Sequence, residues 1–68
     1  MSVSLKRIRD FARAAAKSYT PGAMTEAQAL EAAYDIFDAE LRAESDLRYT
    51  RDLDSERAIF QTSFVAAL

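Results

Sequence analysis

The sequence predicts an all-α fold: a small helical bundle, made of a helical hairpin plus a third C-terminal helix and completed by dimerisation. Three observations predict it. Apolar residues recur at spacings of three and four along most of the chain, the pattern of helices with one buried side. The single proline and the single glycine, Pro21 and Gly22, stand side by side, so one strong bend separates two helical stretches. No stretch alternates apolar and polar residues as a half-buried strand does. Dimerisation enters because a 68-residue chain is short, and a domain of that size buries only about 60% of its unfolded surface. With no cysteine and no histidine, disulfides and the usual zinc ligands are missing, and self-association is the remaining reinforcement.

The chain reads as one helical domain, residues 1–68. Helix 1 is expected over about 4–19. Ser4 caps it, because its hydroxyl can accept from a free backbone N–H two or three residues on. Leu5, Ile8, Phe11, Ala12, Ala15, Ala16 and Tyr19 share one side, with Lys6, Arg9, Arg13 and Lys17 as an adjacent basic stripe. Proline at 21 disfavours helical geometry at Thr20, and Gly22 readily turns left-handed, so the helix stops there.

Helix 2 is expected over about 25–44, opened by a capping box of Thr25 and Gln28. Leu30, Tyr34, Phe37 and Leu41 line one face. A second apolar stripe, Ala29, Ala32, Ile36, Ala39 and Ala43, lies well round the cylinder, so this helix calls for neighbours on two sides. Residues 45–53 either continue helix 2 or form a separate turn. Helix 3 is expected over about 54–67, capped by Asp54 or Ser55, with Ile59, Phe60, Phe64, Ala67 and Leu68 as an apolar arc and Val65 outside it.

The net charge of −2 hides a strong polarity. Residues 1–25 carry a net +4, residues 26–46 a net −6, and residues 47–68 are neutral. This decides how the stretch "SYTPGAMTEAQAL" is read. In a DNA-reading helix-turn-helix, the helix after the turn enters the major groove. Here that helix carries Glu31, Asp35 and Asp38, which phosphates would repel, so the stretch is the bend of a hairpin.

Composition excludes more. No apolar run approaches the roughly 20 residues that cross a bilayer, and the basic N-terminus leads into Asp10 and Arg13 rather than an apolar signal core. The expected location is the cytoplasm, that of the host if the gene belongs to a phage. Without histidine or cysteine the commonest acid–base and nucleophilic groups are absent, and one glycine cannot build a phosphate loop. "DLDSE" starts like a calcium loop, but Arg57 and Ser63 stand where its glycine and closing glutamate belong. No catalytic residue, metal ligand or cofactor is assigned.

What remains is binding. The sequence points to a small non-catalytic protein-binding module, an accessory protein of a phage or mobile element that inhibits or modulates a host protein by stoichiometric docking. The expected protein-binding or dimer interface is Ala32, Ile36, Ala39, Ile59, Phe60, Phe64, Val65 and Leu68, because the apolar excess is more than three short helices obviously cover. A homodimer and a host protein are the expected partners. One alternative is an acidic decoy that imitates nucleic acid with Glu31, Asp35, Asp38, Glu40 and Glu44, against the ordinary explanation of a solvated helix face. Another is a nucleic-acid-associated modulator using Lys6, Arg9, Arg13 and Lys17, which the overall acidic charge opposes.

Leu30, Tyr34, Asp38 and Leu41 resemble the long helix of the Hha-type proteins, small bacterial modulators that bind nucleoid-organising proteins, and "RDLDSERAIF" resembles the segment that follows it. The resemblance spans a third of the chain, does not extend to the region before it, and is not taken as membership.

Overall fold

Ser4 is extended, and its hydroxyl accepts from the Arg7 N–H at 3.1 Å, so the chain turns helical at Leu5. The computed structural model describes residues 3–44 and 51–68. Within them the helices are α1, Leu5–Lys17, α2, Glu26–Arg42, and α3, Leu53–Ala66. Each bound lies within two residues of the expected one.

The bend follows its local chemistry. At the end of α1 the Ser18 hydroxyl donates to the Ala14 carbonyl at 3.2 Å. Gly22 takes φ 99°, a left-handed value that its missing side chain allows. Thr25 and Gln28 then form the expected reciprocal box: the Gln28 N–H donates to Thr25 Oγ1 at 3.1 Å, and the Thr25 N–H to Gln28 Oε1 at 2.9 Å. The cap of α3 is a correction. Asp52, not Asp54 or Ser55, opens the helix, accepting from the Ser55 N–H at 3.3 Å and from its hydroxyl at 2.9 Å. Asp54 falls inside the first turn, where a carboxylate favours the positive end of the helix dipole. At its other end α2 stops at Arg42 with Ala43 as C-cap. Whether residues 45–53 form a separate turn falls mostly on 45–50, outside the described residues.

The core forms around four rings. Phe60 stands 5.4 Å from Phe37 and 5.3 Å from Tyr34 between ring centres, and Phe11 lies 4.9 Å from Phe37. Phe37, Leu41, Phe60 and Phe64 are fully enclosed, joined by Ile8, Ala12 and Ala16 from α1 and by Ala29, Ala33 and Tyr34 from α2. The arc expected on α1 was too wide. Its buried positions are one row, Ile8, Ala12 and Ala16, while Leu5 is exposed and Phe11, Ala15 and Tyr19 are half-buried.

The expected antiparallel α1–α2 pair is present, with Phe11 against Phe37, but it is not the closest pairing. α1 lies most closely along α3, and its contact with α2 is slighter although the two are joined by the bend. The Ala12–Ala16 row explains the first, because small side chains let a facing helix approach. The second leaves a cleft between α1 and α2.

Candidate protein-docking groove

The cleft is built from small residues facing one another. α1 supplies Phe11, Ala14, Ala15 and Ser18, α2 supplies Ala29, Ala33 and Ile36, and Tyr19, Thr20, Ala23 and Met24 close it at the bend. Alanines at 14, 15, 29 and 33 leave a trough of about 490 Å³ where larger side chains would have filled the space. The Tyr19 hydroxyl pins the bend end by donating to the Met24 carbonyl at 3.0 Å. Arg7 on α1 pins the opposite end by a two-pronged pair with Glu44, Nη1 to Oε1 at 3.0 Å. The Glu44 hydrogen bond holds the Arg7 guanidinium above its ordinary pKa, and Arg7 correspondingly holds the Glu44 carboxyl below its own.

The floor and walls are apolar apart from the hydroxyls of Ser18, Thr20 and Tyr19. No nucleophile–base pair lines it. Among the described residues no cluster of carboxylates is arranged to hold a metal ion. Chemically the groove offers apolar area edged by a few hydroxyls.

The expected interface residues divide three ways. Ala32, Ile36 and Ala39 lie together on the exposed face of α2, with Ile36 58% exposed at the groove's lip. Phe60 and Phe64 belong to the core of the single chain, 0% and 1% exposed, so they present nothing to a partner; Ile59 is half-buried against the same core. Val65 on α3 and Leu68 just beyond its end are exposed. Spacing placed the two phenylalanines correctly on one side of a helix but could not tell a core from a docking face. The groove's α1 wall, Phe11, Ala14 and Ala15, was missed. Its signal in the sequence is the pairing of alanine steps on either side of the bend.

Charge is partly consumed internally. Of the five carboxylates expected as an acidic face, Glu31 pairs with Arg57, Glu44 with Arg7, and Asp38 with Arg42 at 2.7 Å and Arg51 at 2.8 Å. Among the described residues Asp35 and Glu40 enter no ion pair, and both are exposed. Of the basic stripe, Lys6 pairs with Asp10 at 2.7 Å, while Arg9, Arg13 and Lys17 are exposed and enter none among the described residues.

A buried polar network holds α3 to α2 away from the groove. Glu56 accepts from the Tyr34 hydroxyl at 3.0 Å and from Arg51 Nε at 3.0 Å, and Arg51 extends to Asp38. Burial pushes the Tyr34 hydroxyl up to about 12, aided by the Glu56 carboxylate. The Glu56 hydrogen bond raises the Arg51 guanidinium despite its burial. Burial would raise Asp38, but Arg51 and Arg42 outweigh it and hold the carboxyl below its ordinary value. Arg57 also stands 5.2 Å over the Tyr34 ring. With every one of these groups satisfied by the others, the network is a fastening rather than a reactive centre.

The chain matches no protein-family model, and neither a curated protein nor a solved structure is similar to it. No described helix is long and apolar enough to cross a membrane.

Proposed function

We propose that this chain is a non-catalytic protein-binding module, an accessory protein that acts by stoichiometric docking of an apolar helix face in the groove between α1 and α2. The observation that supports the reading is Ile36. A large aliphatic side chain, more than half exposed, stands beside an open apolar trough on a protein that otherwise encloses its aromatic core. An open, mostly apolar cleft with a few polar groups at its edge is the usual form of a binding site. A solubilising role would have placed a polar residue there at no cost. Inhibition or modulation of a host protein by a phage or mobile-element product is the setting in which so small a stoichiometric binder fits.

The internal pairing of Glu31, Asp38 and Glu44 weighs against the acidic decoy, since a decoy needs its carboxylates free. The test compares the wild-type chain with Ile36→Glu as bait in a nuclease-treated bacterial lysate, washed at low and high salt. Docking expects a protein held through high salt by the wild type and lost from the variant, because apolar contact resists ionic screening. Equal retention by both baits, or retention only at low salt, overturns it in favour of the charged faces.

A further inference from the structure

The side of α1 turned away from the groove carries cations that the chain does not use itself. We propose that Arg9, Arg13 and Lys17 form a contact surface for a nucleic-acid phosphate backbone, bound without regard to base sequence. This surface is separate from the groove and does not rest on the docking reading.

Pairing singles the row out. Among the described residues Lys6, Arg7, Arg42, Arg51 and Arg57 each meet a carboxylate. Arg9, Arg13 and Lys17 meet none, and all three are exposed. They follow one another at steps of four, so each has a like charge one turn away, which weakens a helix. The first turn of α1 adds Lys6 and Arg7 and contains no acid, against the preference of a helix start. Solubility alone is served as well by mixed signs. Asp10, the one acid on α1, is already held by Lys6.

The surroundings leave the row open to an anion. Arg9 and Arg13 lie opposite the groove-lining Phe11 and Ser18, on the flank of α1 toward α3. Ile59 of α3 shares a pocket with Ile8 and so faces α1, and Thr62 and Ala66 continue that side, exposed and uncharged. Asp52 stands at the N-terminal end of this face and is occupied by Ser55. The unpaired Asp35 and Glu40 belong to α2, beyond the groove. Exposed charges farther apart than about 8 Å are largely screened at physiological salt, and the bundle is 17 Å through its thinnest direction. The net charge of −2 therefore does not decide what this face attracts. Glu26 lines the same pocket as Lys17, which makes Lys17 the weakest of the three.

Chemistry selects the occupant. Guanidinium forks suit phosphate oxygens, and a row rising about 6 Å per step follows a strand of phosphates rather than one anion. Small alanine and threonine side chains beside it supply neither the large anchor of a protein interface nor the apolar face that enters a membrane. No aromatic side chain stands in the row to stack on a base, so the contact is to the backbone.

Fluorescence anisotropy of a labelled, mixed-sequence DNA duplex titrated with the chain, over KCl from about 20 to 150 mM, tests this. The expected logarithmic salt slope is about −1.8 to −2.7, two to three phosphates at about 0.9 each. Arg13→Gln makes the slope shallower by about 0.9, whereas Arg42→Gln, which removes an equal charge from α2, leaves it unchanged. Far-ultraviolet circular dichroism checks that each variant is folded, and Arg9→Gln replaces Arg13→Gln if that one is not. No binding at the lowest salt overturns the proposal. Equal weakening by Arg42→Gln assigns the effect to net charge and overturns it too. Polyglutamate that displaces the duplex at equal charge concentration assigns the row to an acidic protein and overturns the nucleic-acid partner.

Discussion

The hydroxyl of Tyr34 donates to the carboxylate of Glu56 at 3.0 Å, tying α2 to α3 inside the protein. Arg51 supplies two further donors to the same carboxylate and passes on to Asp38. The pair matters because Glu56 is 4% exposed, and a buried carboxylate without partners would be costly. Three donors make it tolerable. They also fix where α3 begins, since Arg51 and Glu56 bracket the Asp52 cap.

This network is sensitive to removing one member. Glu56→Leu leaves Arg51 with Asp38 alone and Tyr34 without an acceptor, and breaking a buried ion pair from one side costs about 3–5 kcal/mol. Domain stabilities begin near about 5 kcal/mol, so Glu56→Leu is expected to lose most of a stability at that lower end and to unfold at a much lower denaturant concentration and temperature than the wild type by circular dichroism. Tyr34→Phe removes one hydrogen bond and leaves the ring, so urea denaturation should show a loss of about 1 kcal/mol. A Glu56→Leu protein as stable as the wild type would mean the network is dispensable.

The same groups set the pH range. Asp38 and Glu44 titrate below their ordinary values in the folded chain. Their stabilisation is therefore complete above the unfolded carboxylate range, and it is lost as pH falls through their folded values. Tyr34 is shifted the other way, from 10.0 to about 12. Its contribution is complete below pH 10 and lost as pH rises toward about 12, because the unfolded chain ionises first. Thermal melts from pH 2 to 12 should thus show a broad plateau with a fall at each end. In Tyr34→Phe the alkaline fall should be shallower, and an identical alkaline limb would remove Tyr34 from the account.

Core and surface phenylalanine-like positions on α3 should separate sharply. Phe60→Ala removes a ring that contacts Phe37, Tyr34 and Phe11, and such truncations cost about 3–5 kcal/mol. Val65→Ala, on the exposed side of the same helix, should stay within about 0.5 kcal/mol. Denaturant midpoints decide it. Equal losses would mean that α3 is covered on both sides.

How much of this was legible depends on the range of the interaction. Ser4, Gly22 and the Thr25–Gln28 box act on neighbours within three residues, so the bend and the starts of α1 and α2 could be read directly. The start of α3 could not. Asp52, Asp54 and Ser55 are all competent caps, and the choice falls to tertiary contacts of Arg51 and Glu56. Glu56 itself reads as a surface residue, because its partner Tyr34 is 22 positions away. Periodicity put Phe60 and Phe64 on one side of a helix, and Ile36 on another, without saying which side met the chain's own core. The preference of α1 for α3 over its sequence neighbour α2 left no local trace, and the groove is a consequence of that preference.

The bend offers the cleanest local test. Gly22 has φ 99°, and a Cβ added there would meet no atom within 4 Å. Any cost of Gly22→Ala is therefore backbone strain rather than collision. Left-handed geometry costs an ordinary residue about 1–2 kcal/mol, and about 1 kcal/mol moves the melting temperature of a domain this small by about 4–8 °C. Gly22→Ala should melt lower by at least that interval, and Gly22→Asn should lose less, since asparagine tolerates the left-handed region better. The contrast also reports on the groove, because Thr20, Ala23 and Met24 around Gly22 form its closed end. If alanine proved as stable as glycine, the turn would have to reach a right-handed alternative at little expense. The Tyr19–Met24 tie, and the closed end of the groove with it, would then not be set by Gly22.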